Sequence, residues 1–123
     1  MPESFDIDPT RELVICRVWG TLSNEDVREH YRRLAADPHF DPAYRQLADL
    51  REVTEFSVDS NTLEEIARAQ IFARGTRRAF IAPSGIAFGL ARMFSAHAAV
   101  AGQVMEVFLD ARAAEDWLES SSA

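Results

Sequence analysis

The chain contains no lysine. Its thirteen basic residues are all arginine, set against twenty acidic ones, for a formal charge of −7 over 123 residues. With acids in excess, no clustered basic face is expected, which argues against nucleic acid or an anionic membrane surface as partner. Lysine codons are A-rich, so their absence points to a GC-rich coding genome and thus to a bacterium. A single cysteine, Cys16, excludes an intramolecular disulfide and fits a reducing cytoplasm. Glycines number five, and none falls in a GxGxxG or P-loop pattern, so no nucleotide cofactor is expected. Histidines are three, His30, His39 and His97, with no second ligand at i+3 or i+4, and no metal is assigned. Long apolar runs are also missing. The richest, Gly85 to Ala101, is interrupted by Arg92 and His97 and falls short of the roughly 18 uninterrupted apolar residues a membrane span needs. Met1 to Asp6 carries acids where an export signal carries a basic and then an apolar segment.

What is present is a core. Apolar residues make up 47% of the chain, enough for one domain over 1–123. The rest is organised around Arg77 to Phe94. Ala79 to Ala82 reads as a short buried strand, Pro83 ends its ladder, Ser84 caps a helix, and Gly85 to Ala101 is helical with little solvated face. Phe88 and Phe94 are expected in the core.

Upstream, Phe5–Asp8 and Leu13–Trp19 form a hairpin across the turn residues Pro9 to Glu12, with Gly20 closing the second strand. Ser23 and Asp26 cap a helix whose inner face is Val27, Tyr31 and Leu34; Arg28, Glu29, His30, Arg32 and Arg33 face outward. Pro38 and Pro42 stop it. Gln46–Leu50 is the next strand, left through Arg51 to Thr54. A helix follows to about Ala73, capped by Asp59, Ser60 or Asn61, with Asn61 and Glu64 as the best capping box. Leu63, Ile66, Ala67 and Ile71 form its buried stripe and Gly75 its stop. Gly102 ends the apolar helix, Gln103–Leu109 is the last strand, and Asp110 caps a helix carrying Ala114, Trp117 and Leu118 inward. Cys16, in mid-strand, reads as a small core residue. Alternation of this kind gives a mainly parallel sheet with right-handed crossovers.

Gln46 to Thr54, Arg78 to Ser84 and Phe88 to Phe94 resemble signature stretches of the STAS-like, SpoIIAA-like bacterial domains, and the resemblance spans nearly the whole chain. It implies a β-α superhelix: a mainly parallel five-stranded sheet with an antiparallel first strand and four helices. Relatives are mostly small proteins without an assigned activity. The anti-sigma-factor antagonists of this fold carry an Asp-Ser-Ser-Gly-like motif whose serine is phosphorylated to control a partner protein. The matching region here is Phe56 to Asn61; Ser60, and more weakly Ser57, stand as the phosphosite, with Asn61 and Thr62 in place of the second serine and the glycine.

Asp49 and Arg51 lie near the carboxyl end of a central strand, where open sheets place ligands, though a structural charge pair explains them equally. Ser84 and Gly85 offer free amides to an anion, or a plain cap. Together with Asp59 and Arg92 these form the candidate ligand or partner surface. The expected function is a cytoplasmic, non-enzymatic regulatory or protein-interaction module. The alternative is a binder of a small apolar or lipid-like ligand between the apolar helix and the sheet. No catalytic residue and no membrane insertion are expected, and self-association as a two-fold dimer through the apolar helix is.

Overall fold

Strands that follow one another in the chain also lie side by side in the sheet. The computed structural model describes residues 3–83 and 85–120. Its elements are β1 (Glu3–Asp8), β2 (Leu13–Ser23), α1 (Asn24–Ala36), β3 (Arg45–Ser57), α2 (Ser60–Ala69), β4 (Arg77–Ile81), α3 (Gly85–Val100), β5 (Val104–Phe108) and α4 (Ala111–Glu119). The sheet runs β1-β2-β3-β4-β5, with β1 antiparallel to β2 and all other pairs parallel. When every crossover joins neighbours in the same direction, right-handedness places every crossover helix on one face. So α1, α2 and α3 share a core on one side, while α4, which follows the last strand, covers the other.

Side chains alternate between these faces with the strand period of two. In β4, Arg78 and Phe80 point toward the three-helix side and Ala79 and Ile81 toward α4. Register carries the alternation across the sheet: Val14, Gln46, Arg78 and Met105 form one row, and Phe5, Cys16, Ala48, Phe80 and Val107 the next.

Local chemistry sets the helix ends. Ser23 Oγ accepts from the Asp26 amide at 3.2 Å while the Asp26 carboxylate accepts from the Ser23 amide at 2.9 Å, a reciprocal capping box. Asp110 caps α4 through the Ala113 amide at 2.8 Å. For α2 the cap is Asp59, which accepts from Thr62 N–H at 2.8 Å and is itself held by Asn24 at the start of α1. The Asn61–Glu64 box therefore does not form. That helix also ends at Ala69 rather than near Ala73, because Gln70 turns left-handed at φ 48° before Gly75 is reached. Ile71 is consequently only half-buried. The cap assigned to Ser84 lies outside the described residues.

Two strands outrun their expected ends. Gly20, at φ 69°, sits beside register shifts in the β2–β3 pairing, so it bends β2 as a bulge and the strand continues to Ser23. β3 likewise runs past Leu50 to Ser57, paired with the outer half of β2. Because β4 pairs only with Gln46–Asp49, β3 from Leu50 onward has a strand on one side alone among the described residues.

Phe94 is buried, with Tyr31 and Phe80 meeting it edge-on at centroid distances of 6.2 and 5.7 Å. Phe88, also expected in the core, is only half-buried, with the Arg92 guanidinium over its ring. The helix drives Phe94 inward along with Ala87, Ala91 and Ala98, while Ile86, Met93 and Val100 stay exposed.

Candidate functional site

The structure separates the residues singled out from sequence. Asp49 and Arg51 form a surface ion pair at 2.7 Å, and the Arg51 guanidinium holds the Asp49 carboxyl below its usual range despite partial burial. Asp59 is a cap, with its carboxyl lowered by the Thr62 amide and hydroxyl and by Asn24. Ser60 is exposed in the first turn of α2 with its Oγ 3.2 Å from His97 Nε2 of α3, and Ser57 is exposed at the end of β3. Gly85 begins α3 against the outer half of β3, and Arg92 is exposed further along. Ser84 lies outside the described residues. Among the described residues, Asp59, Ser60 and Ser57 cluster; the others are dispersed. No group of three His, Cys, Asp or Glu side chains among the described residues is arranged to hold a metal ion. No described helix is long and apolar enough to cross a membrane.

The concentrated chemistry is inside. Arg78, 2% exposed, donates from Nε to Gln46 at 2.8 Å, from one Nη to Tyr31 Oη at 3.0 Å and from the other to Gln103. Its guanidinium lies 4.5 Å from the Phe72 ring centroid and 5.3 Å from that of Phe94, so aromatic faces and amide oxygens solvate a cation that no described carboxylate pairs. Burial lowers its pKa, with Tyr31 and Cys16 acting the other way.

From Gln46 the polar chain continues. Gln46 Nε2 donates to Cys16 Sγ at 3.3 Å, His30 Nε2 lies 3.3 Å from the same sulfur, and His30 Nδ1 lies 2.8 Å from Glu3 Oε1. Arg33 closes the chain on Glu3 Oε1. His30 is therefore not a helix-surface residue: it is buried between Phe5 and Tyr31, both edge-on. Burial is the largest influence on its pKa and lowers it, but Cys16 and Glu3 together carry it above the ordinary value. Cys16 is a core residue, as its position suggests, but it is not without partners. The missed signal is spacing: His30 falls with Val27, Tyr31 and Leu34 on one i, i+3, i+4, i+7 stripe.

Beside this chain is a cavity of about 70 Å³ between α3 and the sheet, reached by Glu3, Cys16, His30 and Gln46 at one end and otherwise apolar, with half-buried Phe56 and Leu90 on its outer side. Glu3 Oε2 and Arg33 Nε, both fully buried, have no hydrogen-bond partner among the described residues.

No protein-family model matches the chain, and no curated protein matches it. Among solved structures it is similar to an uncharacterized protein of the DUF3478 family with a SpoIIAA-like fold from Shewanella loihica PV-4. That likeness has a TM-score of 0.62 and 20% sequence identity and covers 94% of this chain and 93% of the other. With its five-stranded sheet, antiparallel only at β1, and its four helices, the chain has a SpoIIAA-like α/β fold.

Proposed function

We propose that the chain is a non-enzymatic, regulatory interaction module whose docking face is the outward side of α3, and that a second copy of the chain occupies it. One observation carries this reading. Ile86, Met93 and Val100 follow at seven-residue steps with Gly89 and Ala96 between them, and all five are exposed. This is the spacing of a helix–helix seam. The row is nearly symmetric about Met93, so an antiparallel copy across a two-fold sets Ile86 against Val100 and Gly89 against Ala96. It carries no charge, so two acidic chains meet without repulsion in the row itself. Space around Gly89 is open, leaving room for a second backbone. Sedimentation equilibrium from low to high micromolar concentration tests it. The wild-type chain is expected to pass from monomer to dimer and Met93→Glu to remain monomeric; a wild-type monomer throughout overturns it.

Within this module Ser60 is the position for a phosphate, at a helix N-terminus and beside His97. With Asn61 and Thr62 replacing the motif's second half, Ser60 is expected to be unmodified in most conditions. Stoichiometric phosphopeptides from the native cell would reverse that.

A second reading is favoured by the cavity: uptake of a small apolar ligand between α3 and the sheet. Native mass spectrometry of the purified chain, or NMR under xenon, tests it; unchanged spectra under xenon would rule it out.

A further inference from the structure

We infer that Cys16 is a covalent capture site for a small, uncharged α,β-unsaturated carbonyl compound, with His30 as its proton acceptor and Glu3 as the residue that positions His30. The inference rests on the cavity reading above, since the compound must first enter.

The three side chains come from β1, β2 and α1 and form a thiol–imidazole–carboxylate line with contacts of 3.3 and 2.8 Å. A nucleophile within reach of a base that a third group orients is the arrangement that activates a thiol. His30 Nδ1–H donates to Glu3, which leaves Nε2 to take the thiol proton. Gln46 Nε2–H then donates to the sulfur at 3.3 Å, and the Arg78 cation lies on the far side of Gln46, so a thiolate at Cys16 is supported from two directions. Cys16 is 1% exposed and part of the core, and it also borders the cavity.

The cavity defines the guest. Its volume of about 70 Å³ is roughly half of the ~150 Å³ that takes up benzene, so a guest must be smaller than benzene. Its apolar walls exclude ions. Glu3, His30 and Gln46 line it beside Cys16 with polar atoms, so the guest that fits best also carries an N–H or O–H group. A soft carbon electrophile of that size and polarity is a small unsaturated amide or hydroxyl-bearing enal.

The step is an addition. The Cys16 proton passes to His30 Nε2, the sulfur attacks the β-carbon and a C–S bond forms. The C=C π pair moves toward the carbonyl as an enolate, and the His30 proton returns to the α-carbon. Nothing is oxidised or reduced and no group leaves. The product is a stoichiometric adduct, without turnover.

Acrylamide is the probe, applied to the purified full chain and followed by intact-mass and peptide mass spectrometry. One adduct at Cys16 is expected, formed at neutral pH at least ~10-fold faster than in the urea-unfolded chain. His30→Gln is expected to slow it about tenfold while leaving the rate of the unfolded chain unchanged. Glu3→Gln should slow it in part. The groups facing His30 are Glu3 from β1, Cys16 from β2, Tyr31 on its own helix, Arg33 through Glu3, and Arg78 of β4 beyond Gln46; none of the others gains or loses a proton in the step. An aromatic maleimide too large for the cavity should react far more slowly than acrylamide. No adduct on the folded chain, an unchanged rate in His30→Gln, or equal rates for the two reagents overturns the inference. Should His30→Gln fail to fold, the wild-type chain decides: an adduct formed no faster than in the urea-unfolded chain overturns it. Saturated propionamide, followed by NMR, separates the two ideas. Entry of propionamide without an acrylamide adduct sinks the capture site alone; failure of both sinks the cavity reading as well.

Discussion

The two faces of the sheet are built to different rules. Under α4 the buried cluster is apolar: Leu13, Leu47, Ala79, Ile81, Ala114 and Leu118, with Phe108 and Trp117 at the margin and polar contacts kept to the rim, where Arg45 and Arg77 donate to the Leu118 and Trp117 carbonyls. Under α1, α2 and α3 a larger apolar core surrounds a line of polar side chains from Arg33 and Glu3 through His30, Cys16 and Gln46 to Arg78 and Gln103. The backbone cannot account for this, because both faces are drawn from alternate residues of the same strands. What differs is coverage. A face shared by three helices leaves irregular space between them, and the polar row and the cavity lie in it. Under one short helix, small, aliphatic and aromatic residues make up the buried cluster. This polar network is satisfied at Gln46, Arg78 and Gln103, where it favours one arrangement of the helices around it, and unsatisfied at Glu3 Oε2 and Arg33 Nε among the described residues.

Substitutions should separate the faces, beginning with the largest effect. Phe94→Ala on the three-helix side removes a ring wedged between Tyr31, Phe80 and the Arg78 guanidinium and is expected to cost about 3–5 kcal/mol in urea unfolding. Phe88→Ala, half-exposed on the same helix, should cost clearly less; equal losses would mean that α3 is rotated from the orientation described. Arg78→Met leaves Gln46, Gln103 and Tyr31 without their donor, offset in part by relief of a buried cation, for a loss of about 2–4 kcal/mol. A neutral outcome would make the polar row dispensable and the two faces equivalent. Leu118→Ala on the α4 side should cost about 2 kcal/mol, the low end for a buried leucine at a terminal helix, and should speed amide exchange in α4 while leaving α1 protected.

A gentler effect is read against pH. His30 has a raised pKa in the folded chain, so its protonation stabilises the fold fully below the ordinary value of 6.5, and this contribution disappears as pH rises through the folded-state pKa. The stability difference between wild type and His30→Gln should therefore be largest on the acid side and shrink toward alkaline pH. The α4-side variant should show no such trend relative to wild type. The smallest change is Asp49→Asn at the solvent-exposed pair with Arg51, expected to cost under ~0.5 kcal/mol.

The architecture was legible because it rests on local signals. A run dense in β-branched and aromatic residues marked β2 and a short apolar run marked β4, Ser23 and Asp110 announced helix starts with short acceptor side chains, and Gly102, at φ 83°, supplied the turn after α3. Errors came where tertiary pairing overrode a local cue. Arg51 to Thr54 looked like a strand exit, but the bulge at Gly20 lets β2 and β3 stay paired to Ser57. The internal site was not legible for a related reason. Glu3, Cys16, His30, Gln46 and Arg78 are far apart in sequence and become neighbours only when β1 and β3 flank β2 and α1 folds over them. Each has an ordinary local reading: an acid near a terminus, a lone thiol, a helical histidine, a basic pair opening a strand. Alternation within β4 was the one usable clue, since it puts Arg78 on the same face as Phe80.

The unpaired outer edge of β3 has a bearing on solubility. From Leu50 to Ser57 this strand has no strand partner among the described residues on the side that β4 does not reach, an edge onto which another extended chain could add. Along that stretch Arg51, Glu52 and Glu55 are exposed and charged. An incoming copy in parallel register would stack like charges on like, so the projecting ribbon carries its own guard against edge-to-edge aggregation. Replacing Glu52 and Glu55 with valine would remove it while leaving the folded core untouched.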